Sequence, residues 1–319
     1  MGSDLAMLLR VAACSGAGSC GTFGSGRRGA CDEWSRVLAE TLQPEFPALG
    51  VFDRFPASRH ICSVCYASLL GGCGGGLSRE HYISQSVLDL FGPELVVSGA
   101  AWMAPRESMP LPVAALTAKV LCQQHNSALS PLDATAGEFA RALNTIFQVR
   151  DSEDPPAQPV ETTIDGALLE RWLLKVMTGA LAGGILRQGL DRFEWQPDLM
   201  WLSLLFGLVP VEREQGLYVH PTQFNVKAYE GVGMQPLWRG SECTGGLIRL
   251  YGLELAIHAR FDAEPWLRER TTGKVTPALR RPRQLGFERA NGDWIVKFTW
   301  PGLHSANGLR FGQGTDSPR

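Results

Sequence analysis

The chain has 319 residues, of which 45% are hydrophobic and 19% charged, and its net charge is −2. That length allows one large domain or two, and the apolar share is enough for a real core, so disorder is not the default expectation. A near-neutral balance excludes a surface coated in positive charge and leaves any nucleic-acid contact to a local basic groove.

In chain order, residues 1–30 are rich in Gly, Ser and Ala and are predicted to lack fixed structure. Val11-Ala12-Ala13-Cys14 has the look of a lipoprotein cleavage box, but Asp4 sits where a positive charge belongs and Arg10 breaks the apolar segment, so export is not expected. From Asp32, the spacing of Trp34, Val37, Leu38 and Leu42 predicts a short helix that Pro44, Pro47 and Gly50 end. It introduces a central unit, taken as 31–150. Within that unit Gly71 to Gly76 reads as a turn rather than a phosphate cradle, because no Lys-Ser/Thr follows. Ile83, Val87, Leu88, Leu90 and Phe91 predict a short helix after a strand ending in Glu80-His81. Pro93 to Pro112 reads as a loop and Val113 to Leu121 as an apolar strand. A helix then carries Leu129, Ala136, Phe139, Leu143 and Phe147, with a break or fresh start expected at Pro131.

Residues 151–160 form an acidic, proline-rich linker. Beyond it, Asp165 is placed to cap a helix with Leu169, Trp172, Leu173, Val176 and Ala180 on one face, ending near Gly183-Gly184; Trp172 and Lys175 read as core and rim. Met200 to Leu208, Leu217 to Tyr229, Gly246 to His258 and Asp293 to Trp300 read as strands. Residues 161–306 are therefore expected to form an α+β accessory domain, followed by a polar tail, 307–319. No apolar run is long enough to cross a bilayer. Eight cysteines in a long chain, several at metal-knuckle spacing, point to a reducing, cytoplasmic setting rather than a disulfide framework.

Cys62-Ser-Val-Cys65 and Cys122-Gln-Gln-His125 repeat one chelating spacing at two distant places. Two such pairs supply what a structural tetrahedral Zn²⁺ requires, so Cys62, Cys65, Cys122 and His125 are the expected zinc ligands. Cys73 is close enough to compete but has no partner at knuckle spacing. The two pairs enclose Glu80-His81, and Asn126 and Asp133 follow. A neutral imidazole can take a proton from water near pH 7, a carboxylate can hold a divalent cation against a phosphate oxygen, and an amide can orient the imidazole. Those are the parts that phosphodiester hydrolysis needs. Asp133 reads equally well as a helix cap after Pro131, and His81 as a structural histidine.

The order Cys-x-x-Cys, Ser78-Arg79-Glu80-His81, Leu121-Cys122-x-x-His125-Asn126, Leu132-Asp133 resembles the HNH endonuclease family in its zinc-bearing ββα-metal, treble-clef form. The resemblance covers about a third of the chain and implies an α+β protein in which a ββα-metal zinc domain precedes a compact α+β domain. It implies His81 as general base, Asn126 as the residue that orients it, and Glu80 with Asp133 on a catalytic Mg²⁺ or similar ion. It also implies DNA as substrate. At the last zinc position the family more often has Cys than His125.

Arg268, Arg270, Lys274, Arg280, Arg281 and Arg283 form a basic run bordered by Trp266 and Trp294. It could follow a nucleic-acid backbone with aromatic stacking, or be a solvated face. Two functions are thus expected from the sequence: a metal-dependent endonuclease, or a non-catalytic zinc module that binds nucleic acid or a protein partner.

Overall fold

The computed structural model describes residues 62–104, 107–148, 160–188, 191–192, 195–211, 215–219, 231–260, 278–289, 292–302, 305 and 308–311. All of them belong to one compact unit, Phe46–Arg319. The expected N-terminal helix from Asp32 and the 151–159 part of the linker lie outside the described residues. The segments on either side of that linker are not separate bodies: their helices and strands pack together.

Strand β1 (Leu77–His81) leads into helix α1 (Gln85–Leu88), which a 3-10 turn at Asp89–Phe91 extends. Where prolines predict a loop, a hairpin stands instead, β2 (Glu94–Ser98) with β3 (Ser108–Pro112). Pro110 and Pro112 are tolerated because β3 pairs with β2 alone among the described residues, so a missing N–H interrupts no further ladder. After a 3-10 turn at Val113–Ala115, β4 (Thr117–Cys122) pairs antiparallel with β1 and runs straight into α2 (Gln123–Gln148).

The expected break at Pro131 does not occur; α2 is continuous through it. Proline has no N–H for the carbonyl of Ser127, four residues back. Ser130 supplies the donor: its hydroxyl bonds Ser127 O at 2.8 Å. The helix therefore continues through Pro131 to Asp133.

Strand β5 (Val160–Asp165) is followed at once by α3 (Gly166–Ala182), where Asp165 accepts from Leu168 N at 3.0 Å as the N-cap. Then come the two-residue strands β6 (Arg187–Gln188) and β7 (Asp191–Arg192), and α4 (Leu199–Phe206). The apolar run at α4 predicts a strand, but Asp198 caps its N-terminus by accepting from Trp201 N at 2.8 Å. Gly207, at φ 72°, closes its C-terminus in the left-handed conformation that glycine adopts without penalty.

Among the described residues, eight further strands follow: β8 (Gly216–Val219), β9 (Val232–Arg239), β10 (Glu242–Leu250), β11 (Leu253–His258), β12 (Leu279–Arg280), β13 (Gln284–Arg289), β14 (Gly292–Thr299) and β15 (Leu309–Phe311). They form an antiparallel sheet ordered β12-β8-β11-β10-β9 and a mixed sheet ordered β15-β13-β14-β5. The last strand falls inside the stretch expected to be a polar tail, and pairs parallel with β13. No helix among the described residues is long and apolar enough to cross a membrane.

Helix α3 is the axis of this arrangement. It packs on β10 and β11 of one sheet, on β5 and β14 of the other, and on α2, α4 and β4. Every residue from Leu169 to Leu181 is buried, including Glu170, Arg171 and Lys175. It lies so close to β10 that a Cβ on Gly246 would come within 2.3 Å of the Met177 sulfur, so a larger residue there would force the Met177 side chain to move.

Candidate metal centre and the adjoining charge cluster

Three pieces of chain meet at the start of α2. The segment after Cys65 is tied to β4 by Tyr66 N donating to Val120 O at 2.9 Å. The glycine loop folds back onto the helix terminus, with Gln123 N on Gly76 O at 2.9 Å and Gln124 N on Gly74 O at 3.3 Å, which carries Cys73 inward. Cys122 ends β4 and His125 lies in the first turn of α2.

The ligand atoms of Cys65, Cys73, Cys122 and His125 all lie within 4.8 Å of one another, and all four side chains are buried. The sulfurs of Cys122, Cys65 and Cys73 stand 3.2, 3.4 and 3.8 Å from His125 Nδ1. Zn–S of about 2.3 Å and Zn–N of about 2.0 Å at tetrahedral angles require roughly 3.6 Å along that edge. The donor set fits a zinc ion. Backbone N–H groups of Cys122 and His125 point at the sulfurs of Cys65 and Cys122, at 3.4 and 3.5 Å, as they would toward thiolates. Burial pushes the Cys65 and Cys73 thiols up and His125 down to about 4, so the imidazole is neutral, as a ligand must be. A dication would reverse the penalty on the thiolates. The Phe206 ring of α4 stands edge-on to the His125 ring, with their centroids 5.7 Å apart.

This set corrects one expected ligand. Cys62 is half-exposed and outside the cluster; its carbonyl accepts from Cys65 N at 3.1 Å, closing the turn. Cys73 takes the fourth corner, because the glycine loop returns it to the helix terminus.

Beside this centre, a second cluster lies between β1, α2 and α3. Glu80 is buried next to a bulge in the β1–β4 pairing. Lys175 Nζ lies 2.5 Å from Glu80 Oε1 and 2.5 Å from Asp133 Oδ2. Asp133 Oδ1 accepts from the Ser84 hydroxyl, and Ser84 Oγ accepts from the Trp172 indole at 2.7 Å. Burial raises the Glu80 pKa, and the pull of Lys175 offsets this only in part. Tyr66 is also buried here; burial, Glu80 and Cys65 all push its phenol well up, and its oxygen has no hydrogen-bond partner among the described residues.

The divalent cation expected on Glu80 and Asp133 does not fit this arrangement. An ion bound to both oxygens would stand about 3 Å from the ammonium, a repulsion on the order of 10 kcal/mol even at an effective dielectric of about 20. Lys175, read from sequence as a rim residue, is 5% exposed and is the centre of the cluster. One sign of it was available: Lys175 falls on the same apolar stretch of α3 as Trp172, Leu173, Leu174, Val176 and Met177.

His81 is half-buried at the end of β1. Burial lowers its pKa; Lys175 lowers it further, against the opposing fields of Asp89 and Asp133. Its Nε2 is buried without a hydrogen-bond partner among the described residues. Asn126 is half-buried in the first turn of α2, and its side chain makes no hydrogen bond with the described residues.

No family model, curated protein or solved structure matches this chain.

The basic run divides. Arg268, Arg270 and Lys274 lie outside the described residues. Arg281 is corrected: it is 1% exposed and forms a two-pronged pair with Glu170, Nε to Oε2 and Nη2 to Oε1, both at 2.9 Å. Such a guanidinium cannot reach a phosphate. Arg280 is half-buried and donates to Gln215 O at 2.8 Å, while Arg283 is exposed and donates to Ser305 Oγ at 3.0 Å. Of the described members, Arg283 alone is open to solvent.

Proposed function

We propose that the chain is a phosphodiester hydrolase of the HNH endonuclease kind, built on a ββα-metal, treble-clef-like scaffold and acting on nucleic acid, with DNA as the substrate to test first. The observation that carries this reading is His81. Its Nε2 makes no hydrogen bond among the described residues, and burial favours the neutral imidazole, whose Nδ1–H tautomer would offer that nitrogen's lone pair to a proton. The strand-strand-helix order of β1, β4 and α2, with the metal centre at the head of the helix, supports it.

In this reading His81 takes the proton of the attacking water. Glu80, held by Lys175, fixes the end of β1 beside it. Asn126 is the residue to orient the imidazole or the phosphate once substrate is bound. Zinc on Cys65, Cys73, Cys122 and His125 would be structural; when bound, it contributes folding free energy and holds β4 to the head of α2. No step passes through an ion on Glu80 and Asp133.

The test is nicking of supercoiled plasmid DNA by zinc-loaded protein, with and without added Mg²⁺. His81→Ala should lose about 10²- to 10⁴-fold in rate while zinc content and circular dichroism stay unchanged.

A second reading is a zinc module without catalysis, binding nucleic acid or a protein. It is favoured by Lys175, which neutralises the carboxylates from within, and by Asn126, which makes no bond to His81. Wild-type protein that shifts DNA on a gel yet never nicks it would decide for this reading.

A further inference from the structure

The residues Glu80, Asp133 and Lys175 are joined from three elements far apart in sequence, and their geometry concerns which cation the carboxylate pair is made for. We propose that the ammonium of Lys175 takes the place of a divalent metal ion at Glu80 and Asp133, leaving zinc as the metal of this site and Lys175 as the residue that positions Glu80 beside His81. The consequence for cleavage rests on the hydrolase reading; the choice of cation does not.

Three observations support the substitution. Lys175 Nζ touches both carboxylates at 2.5 Å, so one charge bridges both residues as an ion would. The Lys175 side chain is 5% exposed, and Trp172, Leu174, Val176, Met177 and Thr178, its neighbours on α3, are all buried. The remaining oxygen of Asp133 is already used by Ser84, which Trp172 in turn fixes at 2.7 Å. A magnesium ion prefers near-octahedral oxygen ligands and retains several waters. This pocket offers it an ammonium, an indole-anchored hydroxyl and buried apolar walls. The arrangement is complete for Lys⁺ and poor for Mg²⁺.

The charges facing one another are Glu80 from β1, Asp133 from α2 and Lys175 from α3, with His81 and Asp89 near enough to feel them. At His81, Asp89 and Asp133 favour the protonated imidazole, while burial and the Lys175 ammonium oppose it.

Mn²⁺ uptake by the full-length, zinc-loaded protein, followed by loss of the free-ion paramagnetic resonance signal, tests this without any substrate. Wild type should take up no Mn²⁺ at concentrations up to about millimolar, the weak end of carboxylate sites. Lys175→Met, which keeps the stem and removes the charge, should gain one Mn²⁺ per chain, and Glu80→Gln added to it should abolish that gain. If Lys175→Met does not fold, the wild-type titration still decides. A wild-type chain that binds one Mn²⁺ and loses it in Glu80→Gln or Asp133→Asn would overturn the proposal. So would a folded Lys175→Met as indifferent to Mn²⁺ as wild type. A chain that never cleaves DNA would sink the hydrolase reading and leave this result standing.

Discussion

Cys73 Sγ stands 3.8 Å from Nδ1 of His125, at the corner of the metal centre that knuckle spacing assigns to Cys62. The exchange makes the glycine loop part of the candidate metal site, since the backbone bonds from Gln123 and Gln124 to Gly76 and Gly74 bring Cys73 to the helix terminus. Zinc content per chain, measured after dialysis against a weak chelator, should therefore separate the two cysteines. Cys73→Ser should lose most of its zinc and much of its stability, because structural zinc contributes about 10–16 kcal/mol to folding in small metal-dependent units. Cys62→Ser should retain one zinc per chain. Equal losses from both variants would contradict the ligand set.

Lys175 has a stability role that can be measured apart from any activity. Removing one partner of a buried charge group leaves the others uncompensated, at a cost of about 3–5 kcal/mol. Lys175→Met should show that loss in urea unfolding at pH 7. Adding Glu80→Gln removes one stranded carboxylate, so the double variant should be more stable than Lys175→Met alone. Additive losses would mean that the two side chains do not depend on each other.

His81 makes a pH prediction with a definite sign. Its pKa lies below the ordinary histidine value of 6.5, with burial as the main cause. The imidazole is thus neutral and able to act as a base throughout the neutral range, and is lost as a base only when the pH falls through that lowered value. Plotted against pH, kcat/KM for cleavage should be flat near neutrality and fall on the acid side with an inflection below 6.5. The same lowered pKa contributes stability that is present above 6.5 and lost as the pH falls through the folded-state value. A cleavage profile that inflects above 6.5 would argue that His81 is not the group that titrates.

What was legible in the sequence follows from how local each signal is. Helix α3 could be read from end to end because three local signs agree: the Asp165 cap, apolar residues at helical spacing, and Gly183 at the end. Helix α4 was missed because Leu199 to Phe206 is apolar except for Ser203 and has no period to read; its helical signs were the flanking Asp198 and Gly207. Knuckle spacing found Cys65, Cys122 and His125, which the turn and the first helical turn hold in place. It chose Cys62 over Cys73 because the return of the glycine loop is a tertiary event. The join of Lys175 to Glu80 and Asp133 depends on three elements packing together, and no pattern along the chain encodes it.

Arg281 belongs to the architecture rather than to a binding face. With Glu170 it forms a buried pair in which Glu170 Oε2 also accepts from Leu217 N at 2.7 Å, tying α3 to the start of β8. Arg281→Met should cost about 3–5 kcal/mol, read by chemical unfolding. At a temperature where the variant remains folded, its affinity for DNA and the salt dependence of that affinity should match wild type. A reduced salt slope for Arg281→Met would place its guanidinium on a phosphate instead.

Ser130 and Pro131 should behave as a coupled pair. The Ser130 hydroxyl occupies the Ser127 carbonyl that Pro131 cannot reach with an N–H. Ser130→Ala in the natural chain leaves that carbonyl to water alone and should cost about 0.5–1 kcal/mol, the usual net worth of one hydrogen bond. Pro131→Ala restores the N–H and so the regular helical bond to Ser127. In that background Ser130→Ala should cost almost nothing, since alanine is the better helix former and the carbonyl already has its donor. The coupling is read from the four unfolding curves of the double-mutant cycle. If Ser130→Ala costs the same in both backgrounds, the hydroxyl is not what carries the helix past the proline on its way to Asp133.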